Sequence, residues 1–264
     1  LNRAKIQKAV YKYLKTKETL VPVNSLKDYC SNPNDICKEL YSKEFVELVK
    51  VPILPKLAGL TFDPIYKDIQ FTKNQSLAIK NIISAIDSNN FKSFLLHGVT
   101  GSGKTEIYIE AARHVLRKNK TVIILLPEIA LTTQIAGRFK AVFGEKVAVW
   151  HSKLSQSARS WTWKKICLGE YKVVIGARSS IFVPLKNIGM IIVDEEQEDS
   201  YKQESPDPRY HARDVALIRG KINKATVVLS SATPSLESYY NSKIKKLDYI
   251  YLPERFSGKY PKVD

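Results

Sequence analysis

Gly98-Val-Thr-Gly-Ser-Gly-Lys-Thr105 is the stretch that decides how this chain of 264 residues folds. It follows the apolar run Phe94-Leu-Leu-His97 and opens an amphipathic segment at Lys104. The pattern GxxxxGK[ST], set between a strand and a helix, is a cradle for polyphosphate. The wrapping groups are the backbone amides of Gly98, Thr100, Gly101, Ser102 and Gly103. Gly101 and Gly103 supply backbone conformations that residues with side chains avoid. The helix that follows points its positive end at the bound charge. Lys104 is expected to reach the β- and γ-phosphates, and Thr105 to hold Mg²⁺.

A triphosphate site also needs a metal-binding carboxylate on a neighbouring strand, and Ile191-Ile-Val-Asp-Glu-Glu196 supplies it. The apolar run buries itself and delivers Asp194 at its carboxyl end, as a Mg²⁺ ligand directly or through water. Glu195 is the general base for the attacking water. Lys104, Asp194 and Glu195 are therefore the expected catalytic set, while Glu196 reads as a solvated acid.

Outward from these two motifs, short β-branched runs alternate with longer amphipathic stretches. The runs are 93–97, 121–126, 147–150, 172–175, 190–193 and 226–229. The helical stretches are 73–87, 104–118, 129–143, 158–168 and 211–222. Such alternation predicts an α/β domain with a parallel sheet covered on both faces. Ligands of these sheets bind at the carboxyl ends of the strands, where the motifs fall.

Residues 1–51 have a different texture. Ile6, Val10, Tyr13 and Leu14 fall at helical spacing, a second short helix is capped by Asn24 or Ser25, and a third by Asn34. Phe45-Val-Glu-Leu-Val49 reads as a strand. Three small helices and a strand outline a winged helix, and any small helical packing module would share that outline. Pro52, Pro55, Gly59 and Pro64 mark residues 52–70 as a linker.

The 42 basic against 26 acidic residues give a net charge of +16, which points to a polyanionic partner. Residues 71–264 hold 30 of the basic and 18 of the acidic residues. No apolar run approaches the ~20 residues of a membrane span, and no membrane association is expected. The three cysteines, Cys30, Cys37 and Cys167, form no CxxC pair. They read as small buried hydrophobes in a reducing cytoplasm rather than as a disulfide framework or zinc site. The sequence begins at Leu1 and ends at Asp264 without a tail, which reads as a piece of a longer chain.

With both nucleotide motifs in place, the spacing resembles superfamily 2 helicases and translocases. Ser231-Ala-Thr-Pro234 looks like their third motif, which couples the nucleotide site to strand movement through Ser231 and Thr233. Phe71-Thr-Lys-Asn-Gln75 is similar to their adenine-reading element, with Gln75 as the adenine contact. Leu126-Pro-Glu-Ile-Ala-Leu-Thr132, Gly176-Ala-Arg-Ser-Ser-Ile-Phe182, Tyr201-Lys-Gln203 with Arg209-Tyr-His-Ala-Arg-Asp214, and Ser231–Ser238 narrow the match. Together they resemble the primosomal protein N′ family of replication-restart helicases.

That resemblance implies a RecA-like first motor lobe over 71–250, preceded by a winged helix. Residues 251–264 then begin the connection to a cysteine-rich zinc region and a second lobe. It implies ATP and Mg²⁺ as cofactors, with zinc confined to the full-length protein. The implied activity is ATP-driven 3′-to-5′ unwinding of DNA at stalled or branched forks followed by primosome assembly, with single-stranded and forked DNA, primosome proteins and single-strand-binding protein as partners. Without the second lobe's arginines, this piece alone is expected to hydrolyse ATP weakly or not at all.

In the family's counterpart motifs, Thr133, Gln134 and Arg178 line the single-strand path. Arg209, Tyr210 and Arg213 belong to the aromatic-rich loop that senses DNA. Hydroxyl, amide and guanidinium groups at strand ends suit phosphate contacts that do not read sequence. The same tyrosines could instead pack on their own lobe. One departure stands out: the family's Asp-Glu-Glu-His ends here in Gln197, which keeps donor and acceptor groups but has no ionisable ring. Two other functions fit the residues less fully. One is a superfamily 2 translocase that moves on duplex DNA without unwinding it. The other is a non-motor module that binds DNA or protein under a nucleotide switch.

Overall fold

The computed structural model describes residues 3–17, 21–49, 70–127, 133–152 and 154–255. The chain divides into two compact units, Leu1–Ile53 and Leu54–Asp264.

The first unit contains α1 (Arg3–Lys15), a 3₁₀ turn (Val23–Asp28) and α2 (Pro33–Ser42). Pro33 sits in the first turn of α2, where its missing N–H costs no hydrogen bond. Val10, Leu26, Cys30, Ile36, Cys37 and Leu40 form a small core of their own. The three helical pieces are thus present. The strand expected over Phe45–Val49 is not: these residues form bends and irregular backbone, with Phe45, Leu48 and Val49 exposed. Among the described residues no partner strand exists to satisfy a ladder there, so β propensity alone does not produce one. The described residues of this unit form a helical module without a strand. Most of the expected linker lies outside the described residues.

The second unit holds α3 (Lys73–Asp87), β1 (Lys92–Gly98), α4 (Lys104–Arg117), β2 (Thr121–Leu125), α5 (Thr133–Phe143), β3 (Val147–Trp150), α6 (Gln156–Cys167), β4 (Val173–Gly176) and β5 (Ile188–Asp194). A two-residue pair follows, β6 (Lys202–Gln203) and β7 (Tyr210–His211). Then come α7 (Ala212–Asn223), β8 (Thr226–Ser231), α8 (Leu236–Lys243) and β9 (Asp248–Leu252). Seven strands pair in the order β3-β4-β2-β5-β8-β1-β9. Every pairing in that sheet is parallel. β2 and β5 are buried along their whole length, which is why their sequences are continuous apolar runs rather than alternating ones.

Two cores lie on the two faces of the sheet. One gathers Leu96, Ile124, Ile192 and Val228 under α3 and α4. The other gathers Leu95, Ile123, Ile191 and Leu229 beneath α7. Neighbouring residues on each strand alternate between the two faces, as pleating requires.

Three details differ from expectation. β9 adds a seventh strand beside β1, and the β6–β7 pair and α8 were not foreseen. Helix α6 buries Ala158, Thr162 and Ile166 at four-residue spacing, leaving Trp163 exposed. Cys30 and Cys37 are buried, but Cys167 is exposed at the end of α6.

Candidate functional site

All parallel strands present their carboxyl ends on one rim of the sheet, so the loops after β1, β5, β8 and β4 converge there. The loop after β1 is the glycine-rich cradle. Gly101 and Gly103 both hold φ of +80°, and Gly103 is the residue from which α4 springs. At Gly98 a Cβ would fall 2.6 Å from Ser102 Oγ and 3.2 Å from Leu252 Cβ. The loop returns closely over the strand end, where a side chain at position 98 would push the Ser102 hydroxyl aside. Lys104 Nζ donates to the Gly98 carbonyl at 2.8 Å and lies 4.0 Å from Glu195 Oε1. The ammonium is held between the cradle and the acidic loop after β5.

Gln75 supports the cradle from behind. Its Nε2 donates to Ser102 O at 2.8 Å, and its Oε1 accepts from Thr72 N, completing the capping box of α3. The amide is buried and both of its ends are engaged.

Asp194 closes β5, opposite Ser230 on β8. It is 7% exposed, and burial raises its pKa. The Tyr108 hydroxyl donates to Asp194 Oδ1 at 2.7 Å and also meets Ser230 Oγ. A phenol has one proton, and an ionised carboxylate only accepts, so Ser230 donates to Tyr108. Burial, then the Asp194 charge, raises the Tyr108 pKa well above its ordinary value, so the phenol remains a donor. From the other side, Tyr201 Oη donates to the Asp194 main-chain carbonyl at 2.6 Å.

Glu195 takes a left-handed backbone, φ +47°, and so turns its carboxylate toward Lys104. Gln197 Nε2 donates to Glu195 Oε2 at 3.1 Å, while Gln197 Oε1 is buried without a hydrogen-bond partner among the described residues. The Gln197 amide thus contacts the acid two residues before it. Ser231 Oγ accepts instead from Thr233 N at 2.8 Å, which shapes the turn after β8.

Glu196 corrects the expectation of a solvated acid, being fully buried. It accepts from Ser235 N at 2.7 Å, Ser238 Oγ at 2.7 Å and Ser235 Oγ at 3.1 Å, and pairs with Arg213 at 3.3 Å. Arg213 requires a second correction. It is 6% exposed and also engages Asp214, Glu237 and Ser235, so its guanidinium is closed to a phosphate. A buried cation must be paired, and these acids pair it. Arg213 therefore ties the start of α7 to the loop after β5 and to α8.

Arg178 stands in the short 3₁₀ turn after β4. It donates to Lys202 O at 2.6 Å and lies over the Tyr210 ring at 5.8 Å. Phe182 meets Tyr210 edge-on at 5.0 Å. Arg178 and Tyr210 are thus brought together, whereas Arg209 extends into solvent beside Asp207. Thr133 and Gln134 begin α5 after β2; their side chains, and Leu131-Thr132, lie outside the described residues. Arg219, which sequence reasoning missed, donates to the Ile181 and Val183 carbonyls and pins the Arg178 turn to α7. Tyr108 was missed as well, although its place four residues after Lys104 puts it on the same helix face, a signal the spacing does carry.

The description "DEAD/DEAH box helicase" matches residues 72–241 of this chain. The chain belongs to that family. The helicase region is 49% identical over 200 residues to the replication restart protein PriA of Chlamydia pneumoniae, covering 76% of this chain and 26% of that one. It is 46% identical over 224 residues to PriA of Bacillus subtilis strain 168, covering 85% and 27%. This chain therefore spans about a quarter of the length of these relatives. Among solved structures, RecG bound to a three-way DNA junction superposes with a TM-score of 0.53 at 24% identity, over 71% of this chain and 24% of that one. The superposition shows a shared RecA-like fold.

Family membership implies ATP and Mg²⁺, and the residues present fit both. A Cβ at Gly98 would crowd the cradle at the Ser102 hydroxyl, the ammonium faces into it, and the buried Ser102 Oγ lacks a partner among the described residues. Asp194 offers the oxygen donor that a hard cation selects. Among the described residues no cluster of three His, Cys, Asp or Glu is gathered as a separate metal site, and no helix is long and apolar enough to cross a membrane.

Proposed function

We propose that this chain is the ATP-binding motor lobe of a replication-restart DNA helicase, which moves 3′-to-5′ along single-stranded DNA and unwinds the duplex of stalled or branched forks. The observation that carries the reading is the meeting of Lys104 with Glu195 at 4.0 Å, beside Asp194, on the rim where β1 and β5 end. In this lobe Lys104 binds phosphate, Thr105 and Asp194 hold Mg²⁺, and Gln75 steadies the cradle beside the adenine. Glu195 takes a proton from the attacking water. Bound nucleotide with Mg²⁺ supplies the phosphoryl group whose transfer releases energy.

DNA runs past Thr133, Gln134 and Arg178, with a base stacking at Tyr210 and Arg209 meeting the phosphates. Such a stack contributes about 1–3 kcal/mol per base without reading sequence. The turn at Ser231 and Thr233 transmits the nucleotide state, together with Gln197. The second lobe's arginines and a zinc region lie elsewhere in the full protein, as do contacts with primosome proteins and single-strand-binding protein. The cytoplasm is the compartment. The test is fork unwinding by the full protein with Lys104→Ala. Loss of ATP-dependent unwinding with retained fork binding supports the reading, and a variant that still unwinds forks with ATP overturns it.

A further inference from the structure

The Tyr108 hydroxyl has no part in the chemistry described above, yet it sits at the most constrained point of the rim. It lies on α4, one turn after Lys104, and is fully buried. Its two partners stand side by side across β5 and β8, because Asp194 and Ser230 are in register. A phenol at this point sees the last residue of β5 and the residue before Ser231 at once. The phenol proton goes to Asp194 Oδ1, and the Ser230 proton comes to the phenol oxygen.

A carboxylate at the end of a strand can turn about its last torsion, and that torsion is broad. A buried donor on one oxygen removes the freedom. It also leaves the second oxygen as the one presented to a cation. The Tyr201 hydroxyl holds the main chain of the same residue from the opposite side, so the backbone does not drift to compensate.

We propose that Tyr108 is a positioning residue: its hydroxyl fixes the Asp194 carboxylate for Mg²⁺ and links it to Ser230, at the head of the Ser231–Thr233 turn. The proposal rests on the nucleotide-site reading above. It adds that α4 carries two functions on one face, phosphate binding at Lys104 and carboxylate alignment at Tyr108.

The experiment uses the full protein with ADP and Mn²⁺ as probes, and reads free Mn²⁺ by electron paramagnetic resonance. Removing a partner that orients a metal ligand lowers metal affinity about 10- to 100-fold. Tyr108→Phe keeps the ring and is expected to raise the Mn²⁺ dissociation constant about tenfold or more, with ADP binding in chelator unchanged. The Mg²⁺ half-saturation of ATP hydrolysis should rise in parallel. A Mn²⁺ constant within about twofold of the parent protein overturns the proposal. Ser230→Ala carries the test if Tyr108→Phe fails to fold. A shift in the same direction of about threefold supports the link, and no shift overturns it. Lys104→Ala in the same assay separates the two readings. If it leaves ADP binding intact, the nucleotide-site reading falls; if it removes ADP binding while Tyr108→Phe leaves Mn²⁺ affinity unchanged, only the role of Tyr108 falls.

Discussion

Glu195, Glu196 and Gln197 are consecutive, yet their surroundings differ completely. The left-handed turn at Glu195 sends its carboxylate to Lys104, and Glu196 then folds under into the Arg213 cluster. Gln197 returns to hold Glu195. Two adjacent acids thus divide into one for the nucleotide and one for architecture, with the Gln197 amide bound to the first. Removing Glu196 leaves the Arg213 guanidinium with weaker partners and strips the acceptor from Ser235 N and Ser238 Oγ. Breaking one side of a buried pair costs about 3–5 kcal/mol. Glu196→Ala is therefore expected to lose stability of that order in urea unfolding followed by circular dichroism, with Glu196→Gln losing less. An unfolding midpoint equal to that of the parent chain would show the cluster to be energetically idle.

At the scale of elements, the turn after β4 and the start of α7 show how backbone geometry sets the rim. A Cβ on Gly176 would fall 2.1 Å from the Trp150 carbonyl oxygen and 1.9 Å from Ser180 Oγ. One of those neighbours is main chain on β3 and cannot swing aside. Gly176→Ala should destabilise by about 1–3 kcal/mol through overpacking and displace the Arg178 turn. Thermal unfolding reads the first effect, and in the full protein weaker stimulation of hydrolysis by single-stranded DNA, on the proposed strand path, reads the second.

Helix α7 is capped by His211, whose Nδ1 accepts from Arg213 N at 3.2 Å. Only a ring nitrogen with a free lone pair makes that bond, so the cap requires neutral imidazole. Burial, reinforced by the Arg213 charge and opposed by Asp214, Glu237 and Glu196, lowers the His211 pKa. The unfolded chain then binds the proton more readily than the folded one. The cap's contribution is complete above the ordinary histidine value of about 6.5 and is lost as pH falls through the lowered native value. Melting temperatures taken downward from about pH 7.5 should therefore fall more steeply for the parent chain than for His211→Asn, which accepts without titrating.

These elements also show which parts of the fold were legible in sequence. The six sheet strands foreseen are apolar runs because both faces are covered, and helix periodicity marks α3, α4 and α7. β9 reads Asp-Tyr-Ile-Tyr-Leu, half exposed at an edge, so it carries too few buried positions to announce itself. The cradle and Asp194 were legible because local spacing alone defines them. The roles of Arg213 and Arg219 were not, because their partners on other elements lie 17 to 38 residues away in the chain and only the topology joins them; Tyr108 shares a helix face with Lys104, but its partners Asp194 and Ser230 lie 86 and 122 residues on.

Across the whole molecule, the charge of +16 sets how it meets a polyanion. If single-stranded DNA runs past Arg178 as proposed, its phosphate contacts release counterions and binding weakens steeply with salt. Raising monovalent salt from about 50 to 200 mM should raise the half-saturating DNA concentration at least about tenfold in fluorescence anisotropy. Arg178→Ala should lower the slope of that dependence, and an unchanged slope would place the strand elsewhere.

The sheet itself ends openly. β9 pairs with β1 on one side, and among the described residues nothing pairs with its other side; Tyr249 and Tyr251, on one face of the strand beside His97, stand about half exposed. A rim of this kind is a template, since its unsatisfied amides invite another extended segment to dock and seed a growing filament. In concentrated preparations of this lobe, self-association should begin at that rim, and a lysine in place of Tyr251 would be the simplest way to keep the particles separate.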